Sequence, residues 1–209
     1  MKHPLLILAL FSTLFTLQAQ NGTSDAFTYG EFKLGYGTTQ FGKGLETAFE
    51  AGDFSTSGGL LASIAVYRKF SRLNNFNFGL KFKALGAGPA TNNAGDEMFF
   101  NYWGTAVSAK YFPFNREADQ GFFIQGDFYF TTQFTQKYRN TDALTFDHQF
   151  AIGSGLGGLI GYDLNLKNRN TGLTIGIEYD YASRQGEVTG LGDVQFVNSN
   201  VGVMVGIQF

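Results

Sequence analysis

Along most of the chain, hydrophobic and polar residues alternate with a period of two, the pattern of strands with one apolar face. In "FNFGLKFKALG", Phe76, Phe78, Leu80, Phe82 and Ala84 share one face, and Asn77, Gly79, Lys81 and Lys83 share the other. "GFFIQGDFYFTTQF" sets Phe122, Ile124, Phe128 and Phe130 against Gln125, Asp127 and Tyr129. "FAIGSGLGGLIGYDLNL" sets Phe150, Ile152, Leu156, Ile160 and Tyr162 against Gly153, Gly155, Gly157, Gly161 and Asp163. "TGLTIGIEYDYASR" sets Leu173, Ile175, Ile177, Tyr179 and Tyr181 against Thr174, Gly176, Glu178 and Asp180. The last stretch, "VGVMVGIQF", alternates Val201, Val203, Val205, Ile207 and Phe209 with Gly202, Met204, Gly206 and Gln208. Eight such segments are predicted, at about residues 27–40, 58–70, 76–88, 99–112, 121–136, 147–165, 172–184 and 196–209. The pattern leaves the register of "LLASIAVYRKF" open.

The connections alternate between long and short. "SRLNN", "PFNREADQ" and "KNRNTG" are short; "FGKGLETAFEAGDFSTS", "PATNNAGDEM" and "QGEVTGLGDVQ" are long. Tight turns at one end and longer loops at the other are the asymmetry of an up-and-down barrel in an outer membrane.

The two faces decide the solvent. One carries bulky apolar side chains, including Trp103; the other mixes glycine with charge. Small residues suit the tight interior of a narrow barrel, so the charges are expected inside and the apolar face outside. An apolar belt over eight strands cannot face water, but it can face lipid. In hydrocarbon every backbone group must be paired, so the sheet must close on itself. The predicted fold is therefore all-β: an eight-stranded antiparallel up-and-down transmembrane β-barrel. Closure pairs the last strand with "TYGEFKLGYG". Aromatics near the segment ends fit two interfacial girdles: Phe76, Tyr111, Phe122, Tyr162 and Phe209 at the turn side, and Trp103, Phe134, Phe150 and Tyr181 at the loop side. The alternative is a soluble lipocalin-like ligand-binding barrel, which would place the apolar face inside.

Composition agrees with a chain made mostly of strands: 28 Gly and 24 Phe stand against 3 Pro. A net charge of −2 argues against a nucleic-acid partner, which needs a basic face. The absence of cysteine excludes disulfides, thiolate metal sites and attachment through a lipidated cysteine. At the N-terminus, Lys2 and His3, the apolar run "PLLILALFSTLFTL" and "QAQ" read as a signal peptide over residues 1–19, leaving a barrel domain over 20–209.

Signal peptide, eight amphipathic strands and a terminal Phe209 after alternating apolar residues together resemble the small OmpA/OmpX-type outer-membrane barrels; the "QAQ" region is similar to that of Bacteroidota members. The resemblance implies residence in the bacterial outer membrane after signal-peptide cleavage. It also implies the barrel-assembly machinery and periplasmic chaperones as partners, with Val205, Ile207 and Phe209 as the assembly signal, and contact with outer-membrane lipid and lipopolysaccharide.

The expected lumen charges are Glu31, Lys33, Lys81, Lys83, Lys110, Asp127, Asp163, Glu178, Asp180 and Arg184. Their signs nearly cancel. An eight-stranded interior is just wide enough to be filled by side chains, so a structural salt-bridge network is expected. No catalytic, cofactor or metal site is predicted. His148, beside Asp147, has no serine partner and reads as a hydrated rim residue. "GSGLGG" lacks the Lys-Ser/Thr and the helix of a phosphate loop. The loops look acidic through Glu46, Glu50, Asp53, Asp96, Glu97, Asp142, Asp147, Glu187 and Asp193, and the turns basic through Lys69, Arg72, Arg116, Lys167 and Arg169. The function read from this is a non-enzymatic integral outer-membrane barrel with a structural or surface-interaction role through its acidic loops, the surface or envelope partner unnamed. A narrow channel or small-solute binder is the alternative.

Overall fold

The computed structural model describes residues 27–42, 58–69, 75–114, 120–139, 146–166, 171–188 and 192–209. The signal-peptide segment lies outside them, as do Glu46, Glu50, Asp53, Asp142, Arg72, Arg116, Lys167 and Arg169. Eight strands follow one another: β1 (Phe27–Phe41), β2 (Gly58–Lys69), β3 (Phe76–Thr91), β4 (Glu97–Tyr111), β5 (Gly121–Arg139), β6 (Phe146–Asn165), β7 (Gly172–Val188) and β8 (Gly192–Gln208). Each pairs antiparallel with the next, and β8 pairs with β1 from Glu31↔Gln208 to Phe41↔Asn198, closing the barrel. The last strand therefore has no open edge, and the backbone of "VGVMVGIQ" is paired on both sides by β1 and β7.

Period-two alternation becomes an inside and an outside. Phe32, Leu34 and Tyr36 on β1, Phe76, Phe78 and Phe82 on β3, Ile175, Ile177 and Tyr179 on β7, and Val201, Val203 and Val205 on β8 are exposed, with like residues on the other strands. The belt ends at polar outward positions: Arg68 at the turn side, and Gln40, Gln185 and Gln195 at the loop side. On β2 the odd residues Leu61, Ser63, Ala65 and Tyr67 face inward, and Leu60 and Ile64 face outward.

Two expectations need correction. Two of the connections taken as long, "PATNNAGDEM" and "QGEVTGLGDVQ", are partly strand. Residues 92–96 alone join β3 to β4, and 189–191 alone join β7 to β8. Glu97, Glu187 and Asp193 thus lie on paired strands, with Glu187 opposite Asp193. Polar residues mark where the barrel leaves the apolar layer, not where pairing stops, because ladder bonds form equally well in water. The β3–β4 turn is tight because the Asn92 side-chain carbonyl accepts from the backbone N–H groups of Ala94 (3.0 Å) and Asp96 (2.8 Å), an arrangement asparagine favours. Gly95 supplies the positive φ of 84° that the turn requires.

The second correction concerns β5. Its pairing shifts at Tyr129–Thr132, where Ala106 faces Tyr129 and Thr105 faces Thr131, leaving Phe130 as an extra residue. Such a bulge reverses the alternation: Tyr129 and Thr132 are both buried. Beyond it the register sets Phe134 opposite Tyr102 and Ala151, both of which face the lumen. The side chains of Phe134 and Phe150 themselves lie outside the described residues.

Candidate functional site

Among the described residues, the lumen holds ten charged side chains, none more than 3% exposed: Lys33, Lys81, Lys83, Lys110 and Arg184 against Glu31, Asp127, Asp163, Glu178 and Asp180. Alternation on β1, β3, β4, β5, β6 and β7 turns each of them inward, and closure brings distant strands face to face. Lys81 and Glu178 are 97 residues apart in the chain but 2.9 Å apart in the lumen.

Nine of the ten charges form one ladder along the lumen. At the turn side, Asp163 accepts from the Thr174 hydroxyl (2.6 Å) and from Lys110 (3.1 Å). Lys110 also donates to Glu31, and Glu31 accepts in turn from Lys33. Lys33 reaches the Gln125 carbonyl at 3.5 Å, and the Gln125 amide donates to Asp127 at 2.8 Å. Asp127 accepts from Lys81 (2.8 Å) and from the Ser108 hydroxyl (2.5 Å). Glu178 lies between Lys81 (2.9 Å) and Lys83 (2.8 Å). Lys83 donates to Asp180, which also accepts from Asn200 at 2.7 Å. The Thr39 hydroxyl donates to Asn200 at 2.5 Å.

Read in this order the signs alternate, with neutral Gln125 as the only interruption. Alternation matters because a buried ion costs several kcal/mol unless its partners and hydrogen bonds compensate. Each lysine here has a carboxylate within ion-pair distance.

Small and aromatic residues shape the space. The Tyr129 ring lies 2.8 Å from where a Cβ on Gly104 would stand, and 2.8 Å from where one on Gly157 would stand. Two glycines thus make room for one ring, whose hydroxyl points to Glu178 at 3.4 Å. Lys110 sits 4.2 Å from the Phe123 ring centroid, an attractive arrangement for a desolvated cation.

Several uncharged lumen residues were not predicted as part of the network. Ser108, Thr174, Asn200 and Thr39 complete the ladder. Leu61, Leu85, Phe100, Tyr102, Phe196 and Met204 form a buried apolar cluster in the lumen, and smaller clusters gather around Phe112, Phe123 and Leu159 and around Tyr29 and Tyr67. Parity was the available signal: Leu85 continues the row of Lys81 and Lys83. Arg184 stands apart from the ladder, 4.5 Å above the Tyr102 ring centroid. Val205, Ile207 and Phe209 face outward and are exposed. The side chains of Asp147 and His148 lie outside the described residues.

No protein-family model and no curated protein matches the chain. Solved structures do. Ail, the attachment invasion locus protein of Yersinia pestis, in its complex with the heparin analogue sucrose octasulfate, is 11% identical with a TM-score of 0.51, over 87% of this chain and 99% of that one. Neisserial surface protein A is 12% identical with a TM-score of 0.48, over 88% and 97%. The outer membrane protein OprG of Pseudomonas aeruginosa is 10% identical with a TM-score of 0.47, over 87% and 95%. Closed, antiparallel, eight-stranded and apolar on its outside, the chain has the fold of the small outer-membrane barrels of OmpA/OmpX type.

Proposed function

We propose that the chain is a non-enzymatic integral outer-membrane barrel whose lumen is a packed structural core, and that it works through its loop-side surface. The observation that carries this reading is the ladder: nine charges bonded in alternation, all shielded from solvent. An open path for ions would have to break those bonds and expose their partners. The outward apolar belt supports contact with membrane lipid, and the polar ends of the strands support an aqueous loop surface. A surface or envelope partner would meet the loop side, where the sequence places most of its acidic residues. The exposed apolar alternation ending at Val205, Ile207 and Phe209 supports recognition by the barrel-assembly machinery.

Planar-bilayer recording tests the reading. The purified barrel should insert without stable conductance. Stable conductance that changes on Lys81→Gln or Asp127→Asn would replace this reading with a channel.

A further inference from the structure

Arg184 is the tenth lumen charge and the one outside the ladder. It is 1% exposed, and among the described residues none of its three guanidinium nitrogens has a hydrogen-bond partner. A planar guanidinium keeps its charge in any protein environment and presents five N–H donors in a rigid fork. Burying that fork without an acceptor is strongly disfavoured.

In the register Arg184 lies beside Gly153, Gly153 beside Thr132, and Thr132 beside Gly104. Gly153 leaves the row without a side chain between the arginine and the threonine, and Gly104 leaves none beyond the threonine. The Tyr102 hydroxyl turns toward the same row, 3.2 Å from where a Cβ on Gly104 would stand. Thr132 Oγ1 and Tyr102 Oη are both buried, and neither has a hydrogen-bond partner among the described residues. Strands β4, β5 and β7 thus bring two hydroxyls and a guanidinium to one end of the lumen. Asn198 Oδ1, an unpartnered acceptor, lies on the next inward-facing rung. Asp180, on the same strand as Arg184, is engaged by Lys83 and Asn200.

We propose that this end of the lumen is a binding site for one small oxyanion, a carboxylate or a phosphate, held by Arg184 with the hydroxyls of Thr132 and Tyr102. The guanidinium fork matches two oxygens of such a group, and the hydroxyls supply further donors. The Tyr102 ring under the guanidinium and Phe196 beside it in the register belong to the apolar cluster. They hold water off and strengthen the attraction.

The test refolds the barrel in detergent at constant ionic strength in sodium chloride, sodium acetate or sodium phosphate. The urea midpoint is then read from heat-modifiable gel mobility. Acetate or phosphate should raise the wild-type midpoint in a saturable manner; whichever acts at lower concentration identifies a carboxylate or a phosphate site. Arg184→Met should lose the response. Tyr102→Phe and Thr132→Val, which keep the shape, should each raise the half-saturating concentration about tenfold or more, the effect of one hydrogen bond to a charged group. Identical wild-type midpoints in the three salts would overturn the proposal, as would an Arg184→Met barrel that responds like wild type. Should Arg184→Met fail to fold, the hydroxyl variants decide: half-saturation unchanged in both overturns the site.

Discussion

Gly30 and Phe209 exchange both backbone hydrogen bonds. The Gly30 N–H donates to the Phe209 carbonyl at 2.7 Å, and the Phe209 N–H donates to the Gly30 carbonyl at 3.0 Å. The Phe209 ring covers Gly30, its Cε2 lying 2.6 Å from where a Cβ would stand. These bonds extend the β1–β8 seam by one residue at the turn side. Truncating the ring leaves both of them intact and removes only apolar area, a loss of about 1–3 kcal/mol. Phe209→Ala should therefore refold in detergent with a modest drop in urea midpoint. If Phe209 is also read during assembly, the amount reaching the outer membrane should fall far more sharply. Normal membrane levels of the variant would remove that second role.

The ladder predicts strong coupling between its members. Lys83→Met leaves Asp180 with Asn200 but no cation, and should cost about 3–5 kcal/mol. Asp180→Leu should cost a similar amount by stranding Lys83 against Glu178 alone. The double variant should be less destabilised than the sum of the two, with a coupling of about 1–3 kcal/mol in urea unfolding. Additive losses would mean that the two groups do not interact.

Outward positions predict the opposite sensitivity. Val203 is exposed in the middle of the β8 belt, between Val201 and Val205. Val203→Arg puts a cation into hydrocarbon and should cost about 2–4 kcal/mol near mid-membrane. Refolding yield into lipid should fall. Full tolerance would reverse the assignment of the lipid-facing side.

Tyr129 is held between two missing side chains. Gly157→Ala would press on the ring from one side while the backbone at Gly104 limits its retreat. Overpacking of this kind costs about 1–3 kcal/mol. A second change, Tyr129→Leu, should recover part of the loss in the same unfolding assay, and no recovery would show that the clash lies elsewhere.

Much of this architecture was legible in the chain because a strand with one wet and one apolar face writes its period directly into the residues. Lys81 and Lys83 among phenylalanines, or Glu178 and Asp180 among isoleucines and tyrosines, leave no doubt about which side chains share a face. Which of them bond was not legible, since that depends on the registers of all eight strands around a closed circle. A single extra residue at the Phe130 bulge puts Thr132 on the same side as Tyr129. The apolar lumen cluster was hidden for a related reason: Leu85, Phe100 and Phe196 resemble belt residues, and only their parity with lumen neighbours separates them. The turn at Asn92 was concealed by its polar composition, which suits a long loop as well as a tight turn between extended strands.

Amine labelling shows whether the lumen lysines are locked away from water. The folded barrel is treated with a water-soluble acylating reagent, and each lysine is read by mass spectrometry against a urea-unfolded control. Lys69, half-buried at the turn-side end of β2, should react in the folded protein. Lys33, Lys81, Lys83 and Lys110 should stay unmodified until the barrel unfolds. Acylation of Lys81 or Lys83 in the folded barrel at a rate near that of Lys69 would mean a water-filled lumen in place of a packed one.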